Sequence, residues 1–246
     1  MHILIDLQGA QCESRFRGIG RYSLSIAKAI ARNRGEHRVT IALNSVFSES
    51  VDLLKAEFED ILPAGSVRVW RGLESVHGRD PANGWRRQAS ERIYEAFLAK
   101  LQPDVVLVSS LFEGFADDAV SSVPALPKRF ATGVILYDLI PLIFRESYLS
   151  NKLVSSWYAR KLENLNRADF LLAISESSGR EAEEHLGFPG ERIVNISGAA
   201  DPKFRRIDVR PDESERLKTT YRISRPFVLC APGGFDHHKN VDGLIR

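Results

Sequence analysis

Gly133-Val-Ile-Leu-Tyr137-Asp138-Leu-Ile-Pro141 is the stretch that decides the fold. Its first five residues form an apolar run with little polar alternation, as expected for a strand covered on both faces. A carboxylate and a proline-containing loop follow, so the strand stops and the chain turns. The same design recurs on either side. Similar runs stand at 2–6, 38–43, 67–70 and 105–109 before it, and at 170–174, 193–196 and 227–231 after it. Between the runs the apolar spacing becomes helical. Ile19, Tyr22, Ile26 and Ile30 share one helical face, and so do Ile93, Phe97 and Leu101. Leu153, Val154, Trp157, Leu162 and Leu165 make a third stripe. Ser175 with Ser177-Ser178 opens a further helix, which Leu186-Gly187 closes. Strands alternating with helices predict an α/β fold on a doubly wound parallel sheet.

An open parallel sheet takes its ligands at the carboxyl ends of the strands, so the loops after the runs are where chemistry is sought. The first loop ends in Gly18-Ile19-Gly20-Arg21-Tyr22, where a helix begins. Paired glycines let a backbone approach a ligand, a helix start offers N–H groups to an anion, and Arg21 adds charge. The same glycines can equally shape a turn. A dinucleotide site is excluded on three counts. The glycines come 12 positions after Asp6, Ser23 stands in the place of a third glycine, and the second run closes on Leu43-Asn44 rather than an acid.

Asp138, at the tip of a buried strand, is costly there unless it is paired or functional; the alternative is that it caps its own turn. Ser175 reads as a helix N-cap, with Glu181, Glu183 and Glu184 beyond it facing solvent. The last loop, Pro232-Gly233-Gly234, precedes Asp236, His237, His238 and Lys239. A glycine turn with a lysine at a helix start suits phosphate. The two histidines point in different directions and have no further ligand at useful spacing beyond Asp236, so no metal is expected.

A net charge of +2 across 246 residues gives no reason to expect nucleic acid as a partner. The local basic groups Arg15, Arg17 and Arg21, and the pair Arg86-Arg87, can each be read as a solvated face, and the pair Arg86-Arg87 is expected to be one. Cys12 and Cys230 are too far apart in sequence for a metal or redox motif. With Cys230 in an expected buried strand, both read as reduced thiols of a cytoplasmic protein. Met1–Asp6 enters a strand directly without a signal-type apolar region, so no secretory segment is expected, and no apolar run approaches the ~20 residues that span a bilayer.

Taken together, Gly18-Ile-Gly-Arg-Tyr22, Tyr137-Asp-Leu-Ile-Pro-Leu142, Ala173-Ile-Ser-Glu-x-Ser178 and Gly233-Gly-Phe-Asp-x-x-Lys-Asn240 resemble the family 4 retaining glycosyltransferases. The likeness is to the mannosyltransferase-like group that builds bacterial surface polysaccharides, and it spans nearly the whole chain. It implies the GT-B fold, in which two Rossmann-like domains face each other across a cleft. Residues 1–205 would then be the N-terminal acceptor-binding domain, 206–224 a linker, and 225–246 the start of a truncated C-terminal donor-binding domain. By the same resemblance Asp138 is the candidate catalytic residue beside the reacting sugar. Gly18 and Gly20 approach the donor phosphates, and Lys239 neutralises the diphosphate that leaves. Arg21, Tyr137 and Ser175 are candidate acceptor or cleft residues. The family uses a nucleotide sugar as co-substrate, with no cofactor and no metal.

Two positions depart from the family pattern. Tyr137 stands where a histidine is common, and Gly234 where an arginine is common. The function implied is retaining transfer of a hexose such as mannose to a saccharide or lipid-linked acceptor. It would take place in the cytoplasm, with peripheral contact at the inner face of the membrane. These 246 residues alone would be inactive. The alternatives are a sugar-nucleotide epimerase or hydrolase of the same fold, and a non-catalytic binding module.

Overall fold

The computed structural model describes residues 1–125, 129–199, 204–231 and 239–245. The chain divides into two units, Met1–Ala199 and Ala200–Arg246, each described here by itself. The first holds seven strands: β1 (His2–Asp6), β2 (Arg38–Asn44), β3 (Val67–Trp70), β4 (Val105–Val108), β5 (Ala131–Leu136), β6 (Phe170–Ala173) and β7 (Ile193–Asn195). All pair in parallel, in the order β3-β2-β1-β4-β5-β6-β7. This is the doubly wound sheet that the apolar runs predict, with seven of the eight runs forming strands.

Helices α1 (Gly18–Arg32), α2 (Ser48–Glu59) and α3 (Gly84–Lys100) follow the first three strands. Two short turns, α4 (Ile140–Ile143) and α5 (Arg145–Tyr148), and the longer α6 (Lys152–Asn166) come after β5. Helix α7 (Glu176–Leu186) follows β6. It starts on the Ser175 cap and ends on Gly187 at φ 64°, the left-handed geometry that glycine adopts without strain.

Successive strand residues point to opposite faces, so each face has its own core. Ile5, Ile41, Leu107 and Ile135 pack with Ala27, Ala31, Leu54 and Phe58 of α1 and α2. On the other face Leu4, Val106, Val134 and Leu171 pack with Tyr94, Leu98, Leu165 and Ala182 of α3, α6 and α7. Burying each large apolar side chain of this kind contributes about 1.5–3 kcal/mol.

The helix faces differ from the sequence expectation in an instructive way. The residues of α1 that lie fully against the sheet are Gly20, Ser23, Ala27 and Ala31, while Tyr22, Ile26 and Ile30 flank that seam. Small side chains let the helix axis come close. On α3 the expected stripe is rotated: Ile93 is exposed, and Ser90, Tyr94, Glu95 and Leu98 turn inward. The Tyr94 hydroxyl, which the helix buries, donates to Asp6 at 2.9 Å.

The second unit contains α8 (Pro211–Tyr221) and α9 (Val241–Ile245). The strand expected at 227–231 is not formed, and Phe227, Val228 and Leu229 are exposed, as is Cys230. A strand needs a neighbour to receive its backbone hydrogen bonds, and this unit has no strand among its described residues. The Pro232–Gly234 turn and His237-His238 lie outside the described residues.

Asp6 at the end of β1 is fully buried, and its carboxylate accepts from Tyr94 and from the Gln8 backbone and side chain. Burial outweighs these hydrogen bonds and lifts its pKa from 3.8 to about 6. Between those two values the folded state binds more protons than the unfolded one. The Asp6 contribution to stability is therefore present at low pH and is lost as pH rises through about 6. Asp6→Asn removes this dependence. The stability of wild type relative to Asp6→Asn is expected to grow by about 1 kcal/mol from about pH 7 to about pH 5. Denaturant titrations at both pH values check it, and a pH-independent difference contradicts the raised carboxyl.

Candidate functional site

From β1 the chain winds to β2 and β3 on one side, whereas β4 leads to β5, β6 and β7 on the other. The loops that follow β1 and β4 therefore part, and a cavity of about 380 Å³ opens over the ends of β1, β4 and β5. Such a switch point is where an open α/β sheet takes its ligand. The β1 loop supplies Glu13, Ser14 and Arg17. The β4 loop supplies residues 110 and 112–117, the β5 loop Tyr137, Asp138 and Pro141, and α6 adds Tyr158. A second depression, of about 460 Å³, lies between the end of α2 and the start of β3. It sits at an amino end of the sheet, away from these loops.

Loops that cannot share a ladder are joined here by side chains. Glu113 is 7% exposed and accepts from Ser110 Oγ at 2.7 Å, Ser14 Oγ at 2.9 Å and Cys12 Sγ at 3.3 Å. Burial raises the Glu113 carboxyl above its ordinary pKa despite these donors. Burial and the Glu113 charge push the Cys12 thiol far up as well, so Cys12 is a proton donor in this cluster. Ligand-type atoms of Cys12, Glu113 and Asp117 all lie within 4.8 Å of one another. Asp117 accepts from the Glu13 amide at 3.1 Å and from Ala119 at 3.0 Å.

Deeper down, the Gln8 side chain behaves like a strand rung. It donates to Val120 O and accepts from Val120 N and Asn44 Nδ2.

Behind the β4 loop, Lys161 of α6 is buried and donates to Ser121 O at 2.6 Å and Ser121 Oγ at 3.1 Å. Desolvation brings its pKa down to about 8. Arg160 pairs with Glu91. Arg87 does not lie on a solvated face: it is half-buried, its Nε has no partner among the described residues, and burial lowers its pKa. Only Arg86 of that pair is exposed, over the Trp85 ring. The cause is helical geometry, since consecutive residues on α3 point about 100° apart.

The residues singled out in the sequence are divided by the structure. Tyr137 and Asp138 line the cavity. The Tyr137 hydroxyl lies 3.0 Å from Ser23 Oγ, 3.1 Å from Ser109 O and 3.4 Å from Ile19 O. Asp138 Oδ1 accepts from the Ile140 amide at 3.1 Å, so it both closes a turn and faces the cavity. Gly18 and Gly20 begin α1 on either side of Ile19, which also lines the cavity. A side chain on Gly20 would run into the backbone of Ser14 and Arg15, whereas Gly18 has open space around it.

Arg21 is exposed on α1 and is not part of the lining. Ser175 caps α7 by accepting from Ser178 N. Glu181 does not face solvent as expected: it accepts from the Leu139 amide at 3.0 Å and so ties α7 to the Asp138 loop. Lys239 is exposed in the second unit.

The sequence reading passed over Ser110, Glu113, Asp117 and Tyr158. Glu113 and Asp117 were open to discovery, because they stand in the loop directly after the 105–109 run. Tyr158 had no such signal, since it lies beside the Trp157 stripe within a helix and belongs to no motif.

A doubly wound parallel sheet with a polar and aromatic cavity at its switch point defines an α/β domain of the kind that takes ligands at that point. Residues 16–204 match Glycosyltransferase Family 4, and the chain belongs to that family. It is 34% identical over 247 residues to a serotype-specific mannosyltransferase WbdA of Escherichia coli, covering 100% of this chain and 29% of that protein. It is 33% identical over 222 residues to a second WbdA of Escherichia coli, covering 90% of this chain and 27% of that protein. The chain thus spans less than a third of the length of these relatives. Among solved structures, the lipopolysaccharide outer core galactosyltransferase WaaB aligns with a TM-score of 0.47 at 12% identity, over 83% of this chain and 47% of that one. Arabidopsis thaliana UGT89C1 complexed with UDP aligns with a TM-score of 0.47 at 11% identity, over 92% of this chain and 55% of that one.

The two glycines of α1 differ in what an added side chain would meet. Gly20→Ala is expected to destabilise the first unit by about 1–3 kcal/mol through overpacking, read from denaturant midpoints. Gly18→Ala is expected to stay within about 0.5 kcal/mol of wild type. Equal stability losses for the two would contradict the described α1 start.

Proposed function

We propose that the chain is the acceptor side of a glycosyltransferase that moves a hexose, in the first instance mannose, from a nucleotide sugar. The acceptor is a saccharide or lipid-linked saccharide, the anomeric configuration is retained, and the product is a surface polysaccharide. What carries this reading is the switch-point cavity with Asp138 in its wall, in a chain of Glycosyltransferase Family 4.

The lining suits a sugar. Carboxylates accept hydrogen bonds from hydroxyl groups, and aromatic rings offer apolar faces to the C–H sides of a pyranose. Phe112 stacks on Tyr158 with centroids 5.0 Å apart, and Phe115 packs on Trp157 at 5.4 Å. The same lining suits a nucleotide diphosphate poorly, because Arg17 is its one cation among the described residues. The donor diphosphate is accordingly assigned to the first turn of α1 at Gly18 and Gly20. Asp138 acts beside the reacting sugar, held in place by the Ile140 amide. The nucleotide sugar is a co-substrate, and this reading requires no resident cofactor or metal. It places the protein in the cytoplasm, at the inner face of the membrane when the acceptor is lipid-linked. Among the described residues no helix is long and apolar enough to cross a membrane.

In the full-length protein, Asp138→Asn is expected to lower transfer from a nucleotide-linked mannose by about 100-fold or more without loss of stability. NMR of the product is expected to show retained anomeric configuration. The 246-residue chain alone is expected to give little or no transfer with a panel of nucleotide sugars, because it spans less than a third of the length of the mannosyltransferase relatives. Robust turnover by it would contradict the division of labour.

A further inference from the structure

The charge of the cavity carries the assignment of its ligand one step further, resting on the acceptor reading above. Three carboxylates, Glu13, Asp117 and Asp138, stand in the wall with Glu113 deeper behind them, and Arg17 is the opposing cation. Glu113 is already met by Ser14, Ser110 and Cys12. Of the cations behind the β4 loop, Lys161 holds Ser121 and Arg160 holds Glu91, while Arg87, whose Nε has no partner among the described residues, lies outside the cavity lining. A ligand in this cavity of about 380 Å³ touches its walls, so the lining charges act over distances shorter than the ~8–10 Å Debye length at physiological salt. Whatever enters it therefore feels these carboxylates with little screening. Uncharged hydroxyl groups can donate to them; a phosphate or a uronic carboxylate can only accept, and is repelled.

We infer that the cavity selects a neutral, polyhydroxylated saccharide end and rejects anionic ones. The growing glycan would enter by its uncharged terminal sugar, and the diphosphate of a lipid-linked acceptor would stay outside the cavity. An acceptor consisting of one sugar on a lipid diphosphate would bring its phosphates close to Asp117 and Asp138, and is disfavoured.

The test titrates the 246-residue chain with three probes, followed by ligand-observed NMR: a mannose trisaccharide, the same trisaccharide phosphorylated on its terminal sugar, and a trisaccharide ending in a uronic acid. The neutral probe is expected to bind at least about tenfold more tightly than either anion, with the gap narrowing as salt is raised. The double variant Glu13→Gln/Asp138→Asn keeps hydrogen-bond acceptors at both positions. It is expected to narrow the gap mainly by improving the anionic probes. Equal or tighter binding of an anionic probe by wild type would overturn the inference while leaving the acceptor site in place. A gap unchanged in the double variant, or insensitive to salt, would overturn it too. If no probe displaces another and none binds, the acceptor reading itself fails together with this inference.

Discussion

Everything in the site depends on how β1 is paired. It is hydrogen-bonded to β2 on one edge and to β4 on the other, so no loop can follow it across the sheet without leaving a gap. The gap opens at the point where backbone ladders end. Polar side chains take over from there: the Gln8 amide bridges Asp6, Val120 and Asn44, and Glu113 gathers donors from the β1 and β4 loops. Because each of these groups is buried, removing one would leave its partners unsatisfied, at about 1–3 kcal/mol apiece. The cavity walls are thus as firmly specified as a strand register.

Most of the architecture was legible in the sequence for a simple reason. Parallel strands covered on both faces need unbroken apolar runs, and seven of the runs became strands. Legibility failed where the pattern depends on what a segment packs against. Phe227-Val-Leu reads like the other runs, yet it is exposed because apolar content does not provide a neighbouring strand. Ile93 is more apolar than Tyr94, but Tyr94 has a buried carboxylate to bind and takes the inner face. On α1 the sheet contact is made by Ala27 and Ala31, which a search for large apolar residues does not weigh.

The site was legible in part, and along the same line. Asp138 and Tyr137 stood out because a polar group ends a buried strand. Gly20 stood out as a glycine, though its place in the fold is set by the Ser14–Arg15 backbone it must admit. The Ser110–Asp117 loop carries no glycine-rich or paired-residue motif. Its importance comes from Glu113 meeting residues 12 and 14, 101 and 99 positions earlier, and a contact of that range leaves no periodic trace.

Tyr137 gives the arrangement a mechanical consequence. Its hydroxyl is shared among Ser23 and the carbonyls of Ile19 and Ser109, while the next residue is Asp138. The first turns of α1, the end of β4 and the Asp138 carboxylate are therefore mounted on one frame. These hydrogen bonds hold the start of α1 and the end of β4 to the residue that precedes Asp138, so that their spacing behaves as a fixed gauge. On the proposed function, in which one sugar is set against another, such a gauge governs alignment more than affinity.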